Sequence, residues 1–387
     1  MNADRFAFLK EKLNAIREAD SLRVLMPRIH DGTTIIESDG TRLINFGSND
    51  YLGLAAQRFV STPNIPLLTT NGAGASALVS GFTTLHDQLC QQLADLEQTE
   101  AAVVFPSGYA ACSGVVATLA EDGDLLLSDQ LNHASLIDGC RLSRATRFVY
   151  PHIDVDSLQR LLEQQRHRFV RAWIVTDGVF GMDGDVAPLE ALCDLAERFD
   201  AHVLVDEAHA TGVLGADGSG SCEEFGVKKR VAIRIGTLSK AIGSHGGFVV
   251  GPQVVIDYLV NRCRSLIFST AGSPLTIAAA ICGVESIRSE PERRIRLRAL
   301  AERFREQVSR NLAGKIPPTS ISGVPIVPII FGENRRVLQV SASLREAGFF
   351  VPAIRPPTVA SGTARLRVCI SATHREEEID RLVAAIS

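Results

Sequence analysis

Between residues 100 and 250 the chain alternates short apolar, β-branched runs with longer stretches whose apolar residues recur at helical spacing. The runs Ala101–Phe105, Asp124–Ser128, Arg147–Tyr150, Ala172–Thr176, His202–Asp206, Ala232–Gly236 and Gly247–Val250 predict strands. Val155–Gln165 and Leu189–Phe199 predict helices between them. Nearly continuous apolar strands separated by helices suit a mostly parallel sheet covered on both faces. The expected fold class is therefore α/β, with a large sheet domain over residues 46–287. After that the pattern changes. Glu290–Leu312 predicts a long charged amphipathic helix, Val324–Phe331, Gly348–Ile354 and Ala364–Ile370 predict strands, and Arg375–Ile386 a closing helix. These make a smaller α+β domain over residues 288–387. Residues 1–45 predict a helix, Phe6–Leu25, and a small β segment; the helix is expected to pack on one of the two domains.

Composition narrows the function classes. The chain has 387 residues, 45% of them hydrophobic, enough for a sizeable core. Its 40 basic and 44 acidic residues leave a net charge of −4, which argues against a general nucleic-acid or membrane-surface binder. No uncharged apolar run approaches the roughly 20 residues of a membrane span. The opening residues lead into a charged amphipathic stretch rather than a signal peptide, so a cytoplasmic location is expected. Eight scattered cysteines contain no Cys-x-x-Cys pair, and are expected to be reduced core thiols rather than a metal site or disulfide framework.

In such sheets ligands bind at the carboxyl ends of strands. Two of these ends carry unusual chemistry. Lys240 follows the strand near 232–236, in Gly236-Thr237-Leu238-Ser239-Lys240, and Asp206 closes the strand His202–Asp206. A lysine that forms an imine and an acid that keeps a pyridine nitrogen protonated are the pair a pyridoxal phosphate enzyme requires. That cofactor also needs a phosphate cradle and a flat group against its ring. Ser107, Gly108 and Tyr109 follow a strand and open a small-residue helix, whose free N–H groups suit a phosphate. Thr237 and Ser239 add hydroxyl donors, His133 has the flat ring, and His209 can reach the cofactor's phenolic oxygen. Taken singly, each also suits a plain structural role: a surface lysine, a capping Asp or Ser, a solvated His. The segment Gly72-Ala73-Gly74-Ala75-Ser76-Ala77 imitates a dinucleotide fingerprint, but lacks the preceding strand and the distal acid that fingerprint needs.

Together with Ser48-Asn49-Asp50-Tyr51-Leu52-Gly53-Leu54, Asn132-His133-Ala134-Ser135, Val179-Phe180-Gly181-Met182-Asp183-Gly184-Asp185, Asp206-Glu207-Ala208-His209-Ala210-Thr211-Gly212 and Phe268-Ser269-Thr270-Ala271, these segments resemble the α-oxoamine synthases nearly end to end. These are pyridoxal phosphate enzymes of the aspartate-aminotransferase-like fold that condense an amino acid with an acyl thioester and release carbon dioxide. The resemblance implies catalytic roles for Lys240, His133 and Asp206, a carboxylate-binding role for Arg355 with Asn49 nearby, and acyl-substrate contacts from Arg23 and Thr358. It implies a homodimer with shared sites, in which Ser269 or Thr270 reaches the neighbouring subunit's cofactor phosphate. Ile354-Arg355-Pro356-Pro357-Thr358-Val359 and Ala19-Asp20-Ser21-Leu22-Arg23 resemble segments of one branch of the family, and that resemblance implies L-alanine and a pimeloyl thioester, on coenzyme A or a carrier protein, as substrates. Another acyl specificity in the family, an aminotransferase or aldolase, and a non-catalytic subunit remain alternatives. The chain departs from the resemblance at Gly181, where Ser is frequent, and in Ala55–Thr70, which looks short and proline-containing and bears on the substrate entrance.

Overall fold

The computed structural model describes residues 5–57, 71–312, 314–321 and 323–386. Most of Ala55–Thr70, including its prolines, lies outside the described residues.

All seven expected strands join one sheet, in the spatial order Ala101–Phe105, Gly247–Gly251, Ile233–Thr237, His202–Asp206, Ala172–Asp177, Leu125–Asp129, Thr146–Tyr150. Gly247–Gly251 runs antiparallel to both its neighbours, and the other pairings are parallel. Successive side chains of a strand point to opposite faces, and both faces are dry here. Leu126 and Leu204 pack on one side against Val115, Val116 and Leu136. Leu125, Leu127, Val203 and Val205 pack on the other against Leu158, Leu162 and Leu192. This two-sided burial is why the strands read as unbroken apolar runs. Full burial of each such side chain is worth about 1.5–3 kcal/mol. Because the central strands are parallel, their last residues gather at one edge of the sheet, among them Asp129, Asp177, Asp206 and Thr237.

The helix Pro274–Ser289 leads from this domain to the long helix Pro291–Asn311. Beyond it, Ile326–Gly332, Ala364–Cys369 and Ala353–Ile354 form a three-stranded antiparallel sheet. The helix Glu376–Ile386 is clipped to the long helix by Arg303, whose guanidinium grips both carboxylate oxygens of Asp380 at 2.8 and 3.0 Å.

Two expectations are corrected. Gly348–Ile354 is not one strand but two short pieces in different sheets. Phe349–Phe350 pairs with Ile44–Asn45, while Ala353–Ile354 pairs with Leu366 and Arg365. Pro352 between them has no N–H to continue a ladder, which breaks the strand there. The N-terminal β segment, Arg28–Asp31, Thr34–Glu37 and Arg42–Asn45, thus shares a four-stranded sheet with a late part of the chain. The N-terminal helix is also shorter than expected, Ala7–Glu18, and buries none of its side chains. Asp20, at φ 51°, turns the chain out of the helix. The segment after it is fastened instead: Asn334 Nδ2 donates to the Ala19 carbonyl at 3.0 Å and Arg355 to the Asp20 carbonyl at 2.5 Å.

Candidate active site

The turn that presents Lys240 is built from its own backbone. Leu238 N donates to Gly246 O at 3.0 Å, Ser244 N to Leu238 O at 2.7 Å, and Gly243 N to Lys240 O at 2.9 Å. Gly243 has a φ of 75°, and a side chain there would meet the Ala55 nitrogen at 2.5 Å, so only glycine fits. The Lys240 side chain keeps some surface open, but its charge centre lies deep among protein atoms. Burial pushes its pKa down to about 8, and Arg367 pushes the same way against the pull of Asp206 and Asp177.

Asp206 and Asp177 are in register on adjacent strands, and both are buried. Asp206 accepts from the Ala208 N–H at 2.9 Å and from the Cys112 thiol at 3.0 Å. Asp177 accepts the His133 N–H at 2.6 Å. Burial raises the Asp177 pKa well above the usual carboxylate range, and the Asp206 charge adds to this. Asn132 locks the turn to the sheet, donating to Val175 O at 2.8 Å and accepting from Asp177 N at 2.9 Å. His133 then caps the helix Ala134–Leu142 through its Nδ1, which accepts from Ser135 N at 3.2 Å. The residue keeps some exposed surface, while burial of the imidazole lowers its pKa.

His209 is buried, and its Nδ1 pairs with the Tyr51 hydroxyl at 2.7 Å. Burial holds its pKa well below the ordinary value, helped by the Lys240 and Arg367 charges, so the ring is neutral. A Cβ at residue 181 would lie 2.4 Å from His209 Nε2. Gly181 therefore makes room for the imidazole.

The phosphate cradle takes shape at the helix Gly108–Leu119. Ser107 caps it, its Oγ accepting from Ala110 N at 3.1 Å. The N–H groups of a first helical turn have no partner within the helix. Backbones crowd here: a Cβ at Gly247 would meet Gly108 N at 2.7 Å, and one at Gly108 would meet the Thr237 side chain at 3.2 Å. Thr237 and Ser239 stand beside it, both donating to Gly246 O, at 2.9 and 3.3 Å. Tyr109 is half exposed and its hydroxyl donates to Asp138, on the helix that His133 caps.

Other expected residues fall elsewhere. Ser269 and Thr270 do not join this cluster within one chain; with Leu78, Phe82 and Pro106 they line a mostly apolar cavity of about 330 Å³. Arg23 donates to the Thr358 hydroxyl at 2.8 Å, so these two are brought together. Arg355 is engaged by the N-terminal segment, at the carbonyls of Asp20 and Leu22. The arginine beside the lysine is instead Arg367. It is buried, donates to Asn49 Oδ1 at 3.0 Å and to the Gly181 carbonyl, and its NH2 has no hydrogen-bond partner among the described residues. Asn49 in turn accepts from the Tyr51 hydroxyl at 3.1 Å. Asp177, Tyr51, Cys112 and Arg367 were missed as site residues. The one signal for Arg367 was a pair of charged residues, Arg365 and Arg367, two apart on a strand whose other residues are apolar.

These residues fit pyridoxal phosphate. A buried amine of lowered pKa, a carboxylate held by two donors, a helix start too crowded for side chains and a flat imidazole ring are its four requirements. A mostly parallel sheet with this lysine and acid at its strand ends, closed by a smaller antiparallel domain, defines a pyridoxal phosphate enzyme of the aspartate-aminotransferase-like fold. The sequence matches the aminotransferase class I and II family over residues 41–386. It is 43% identical over 386 residues to the 8-amino-7-oxononanoate synthase of Lysinibacillus sphaericus, covering 99% of this chain and 97% of that one. The structure superposes on a serine palmitoyltransferase from S. paucimobilis, solved with a PLP–myriocin aldimine, with a TM-score of 0.89 and 26% identity over 100% of this chain and 97% of that one. An 8-amino-7-oxononanoate synthase from Francisella tularensis gives a TM-score of 0.72 at 26% identity, over 89% of this chain and 96% of that one. The chain belongs to the aminotransferase class I and II family and, within it, to the 8-amino-7-oxononanoate synthases.

Proposed function

We propose that the enzyme condenses L-alanine with a pimeloyl thioester, of coenzyme A or of a carrier protein, giving 8-amino-7-oxononanoate, carbon dioxide and the free thiol. The observation that carries this reading is the grouping of Lys240, Asp206 and His133 at one sheet edge with Arg367 of the smaller sheet beside them, in a chain 43% identical to a synthase of that name. Bound here, pyridoxal phosphate supplies an electron sink for negative charge on the amino acid's α-carbon.

The protein groups divide the remaining work. Lys240 takes the α-proton. A lysine at its ordinary pKa is a poor base at neutral pH, and the shift to about 8 brings it into range. Asp206 holds a proton on the cofactor's ring nitrogen, and Cys112 and Ala208 fix its orientation. His133 forms one flat wall. Arg367 is the carboxylate anchor we favour over Arg355, because its NH2 is buried beside Lys240 and Asn49 and free to donate. A single anchored carboxylate sets which bond of the α-carbon stands perpendicular to the ring. Arg23 and Thr358, joined to each other, contact the acyl substrate at the strap formed by the N-terminal segment.

In this reading the enzyme is a cytoplasmic homodimer, and Ser269 and Thr270 act across the dimer interface on the partner's cofactor phosphate. The likeness to serine palmitoyltransferase supports one alternative, serine with a long acyl thioester. A thiol-release assay separates the two, crossing L-alanine, glycine and L-serine against pimeloyl, acetyl, succinyl and palmitoyl thioesters. Release confined to alanine with pimeloyl thioester is expected. Turnover of serine with palmitoyl thioester alone would overturn the proposal.

A further inference from the structure

His152 lies just beyond the edge strand Thr146–Tyr150, outside the group of residues that surround Lys240. Its ring is held at both nitrogens: Nδ1 meets Asp129 Oδ1 at 2.9 Å and Nε2 meets Asp185 Oδ2 at 2.6 Å. The edge of one ring meets the face of the other where it packs on Phe180, at 4.4 Å and 89°.

Each carboxylate organises a turn that reaches the site. Asp129 accepts the N–H groups of Leu131 at 2.8 Å and Ile153 at 2.9 Å, and so shapes the chain that delivers Asn132 and His133. Asp185 closes the other turn through its backbone: Phe180 N donates to Asp185 O at 3.0 Å, and Gly184 N to Phe180 O at 2.8 Å. That turn carries Gly181, which abuts His209 and whose carbonyl accepts from Arg367. We propose that His152 is a positioning residue for the reaction, a bridge between Asp129 and Asp185 that sets the His133 wall against the Gly181–His209–Arg367 side of the site. This inference rests on the reading of the site given above.

The charge state follows from the geometry. A neutral imidazole has one N–H, and donating to two carboxylates takes both. The charges facing His152 are Asp129 on its strand end, and Asp185 and Asp183 on the turn; Asp183 is itself paired with Arg365. Burial alone would lower the His152 pKa, but the bonds to Asp129 and Asp185 outweigh it and raise it to about 9. The bridge is therefore intact at neutral pH. Its contribution to stability is complete below the unfolded value near 6.5 and is lost as pH rises through about 9. Above that, one carboxylate loses its donor. Asp185 is the more exposed to this loss, since its second oxygen is already buried without a partner.

The test uses the cofactor-loaded enzyme and the variants His152→Gln and Asp185→Asn. Far-ultraviolet circular dichroism and cofactor content establish that each variant is folded and loaded. In His152→Gln we expect kcat to fall about tenfold to a hundredfold, the cost of a misplaced reacting geometry, with the alanine KM within about twofold. The visible circular dichroism of the bound cofactor is expected to weaken, and the alkaline limb of the kcat profile near pH 9 to disappear. NMR titration of the His152 ring should give a pKa near 9 in the wild type, falling well below that in Asp185→Asn. Wild-type kcat and visible dichroism in a loaded His152→Gln would overturn the proposal. So would a His152 pKa unchanged in Asp185→Asn, which decides the matter even if His152→Gln does not fold. If the wild type turned over no acyl thioester, the proposed reaction would fail while the titration and the dichroism still read the bridge.

Discussion

Asp177 and Asp206 stand opposite each other at the ends of neighbouring parallel strands, and the Lys240 ammonium lies in the field of both. The Asp206 charge, with a smaller pull from Asp177, partly offsets the burial that lowers the lysine pKa. Without them a lysine this deep would lose its proton still more readily.

The capture of cofactor by the cofactor-free enzyme should therefore depend on pH through Lys240. Only the neutral amine attacks an aldehyde, so the rate should rise through about pH 8 and level off above it. In Asp206→Asn the midpoint should move lower, because the largest influence raising the lysine pKa is gone. Stopped-flow absorbance of pyridoxal phosphate binding across pH 6–10 is the check; a midpoint near the ordinary lysine value would refute the assignment.

Lys240→Ala should give a folded protein without the yellow colour of the lysine-bound cofactor. Thiol release should fall by roughly 10⁴-fold, the upper end of what a positioned base contributes. Visible spectra of dialysed protein and the thiol assay measure the two effects separately.

Arg367 and Arg355 should separate in kinetics. Replacing Arg367 by Lys removes a planar fork aimed at a carboxylate and should raise the alanine KM about tenfold to a hundredfold, in line with the worth of a charge-assisted hydrogen bond. Arg355→Lys disturbs the strap to Asp20 and Leu22 and should act mainly on the acyl thioester KM. The opposite pattern would return the carboxylate role to Arg355.

Gly181→Ser should destabilise the protein by about 1–3 kcal/mol, the usual cost of overpacking. The new Cβ falls 2.4 Å from His209 Nε2, so the ring must leave its 2.7 Å pairing with Tyr51. Urea unfolding midpoints report the loss. An unchanged midpoint would show that the ring has an alternative seat.

The large sheet was legible from residue order alone. Strands buried on both faces leave a local record, since every position of Leu125–Leu127 or Val203–Val205 must be apolar whatever else surrounds it. The ends of those strands were legible for the same reason, which is how Lys240 and Asp206 stood out. Gly348–Ile354 misled because its apolar residues are compatible with one strand or two. Its division at Pro352 follows from partners some 300 residues away, at Ile44, and nearby, at Leu366.

The rest of the site depends on contacts that leave no local pattern. Arg355 and Arg367 are both arginines on short apolar stretches, and nothing in their neighbours in sequence says which is buried beside Lys240. Asp177, Tyr51 and His152 are ordinary residues until the fold sets them against Asp206, His209 and the pair Asp129–Asp185. Lys240 itself divides the same way. Its chemical type and its place on a strand end were written in the chain order, while its pKa near 8 comes from groups far apart in sequence, because desolvation and charge act through space.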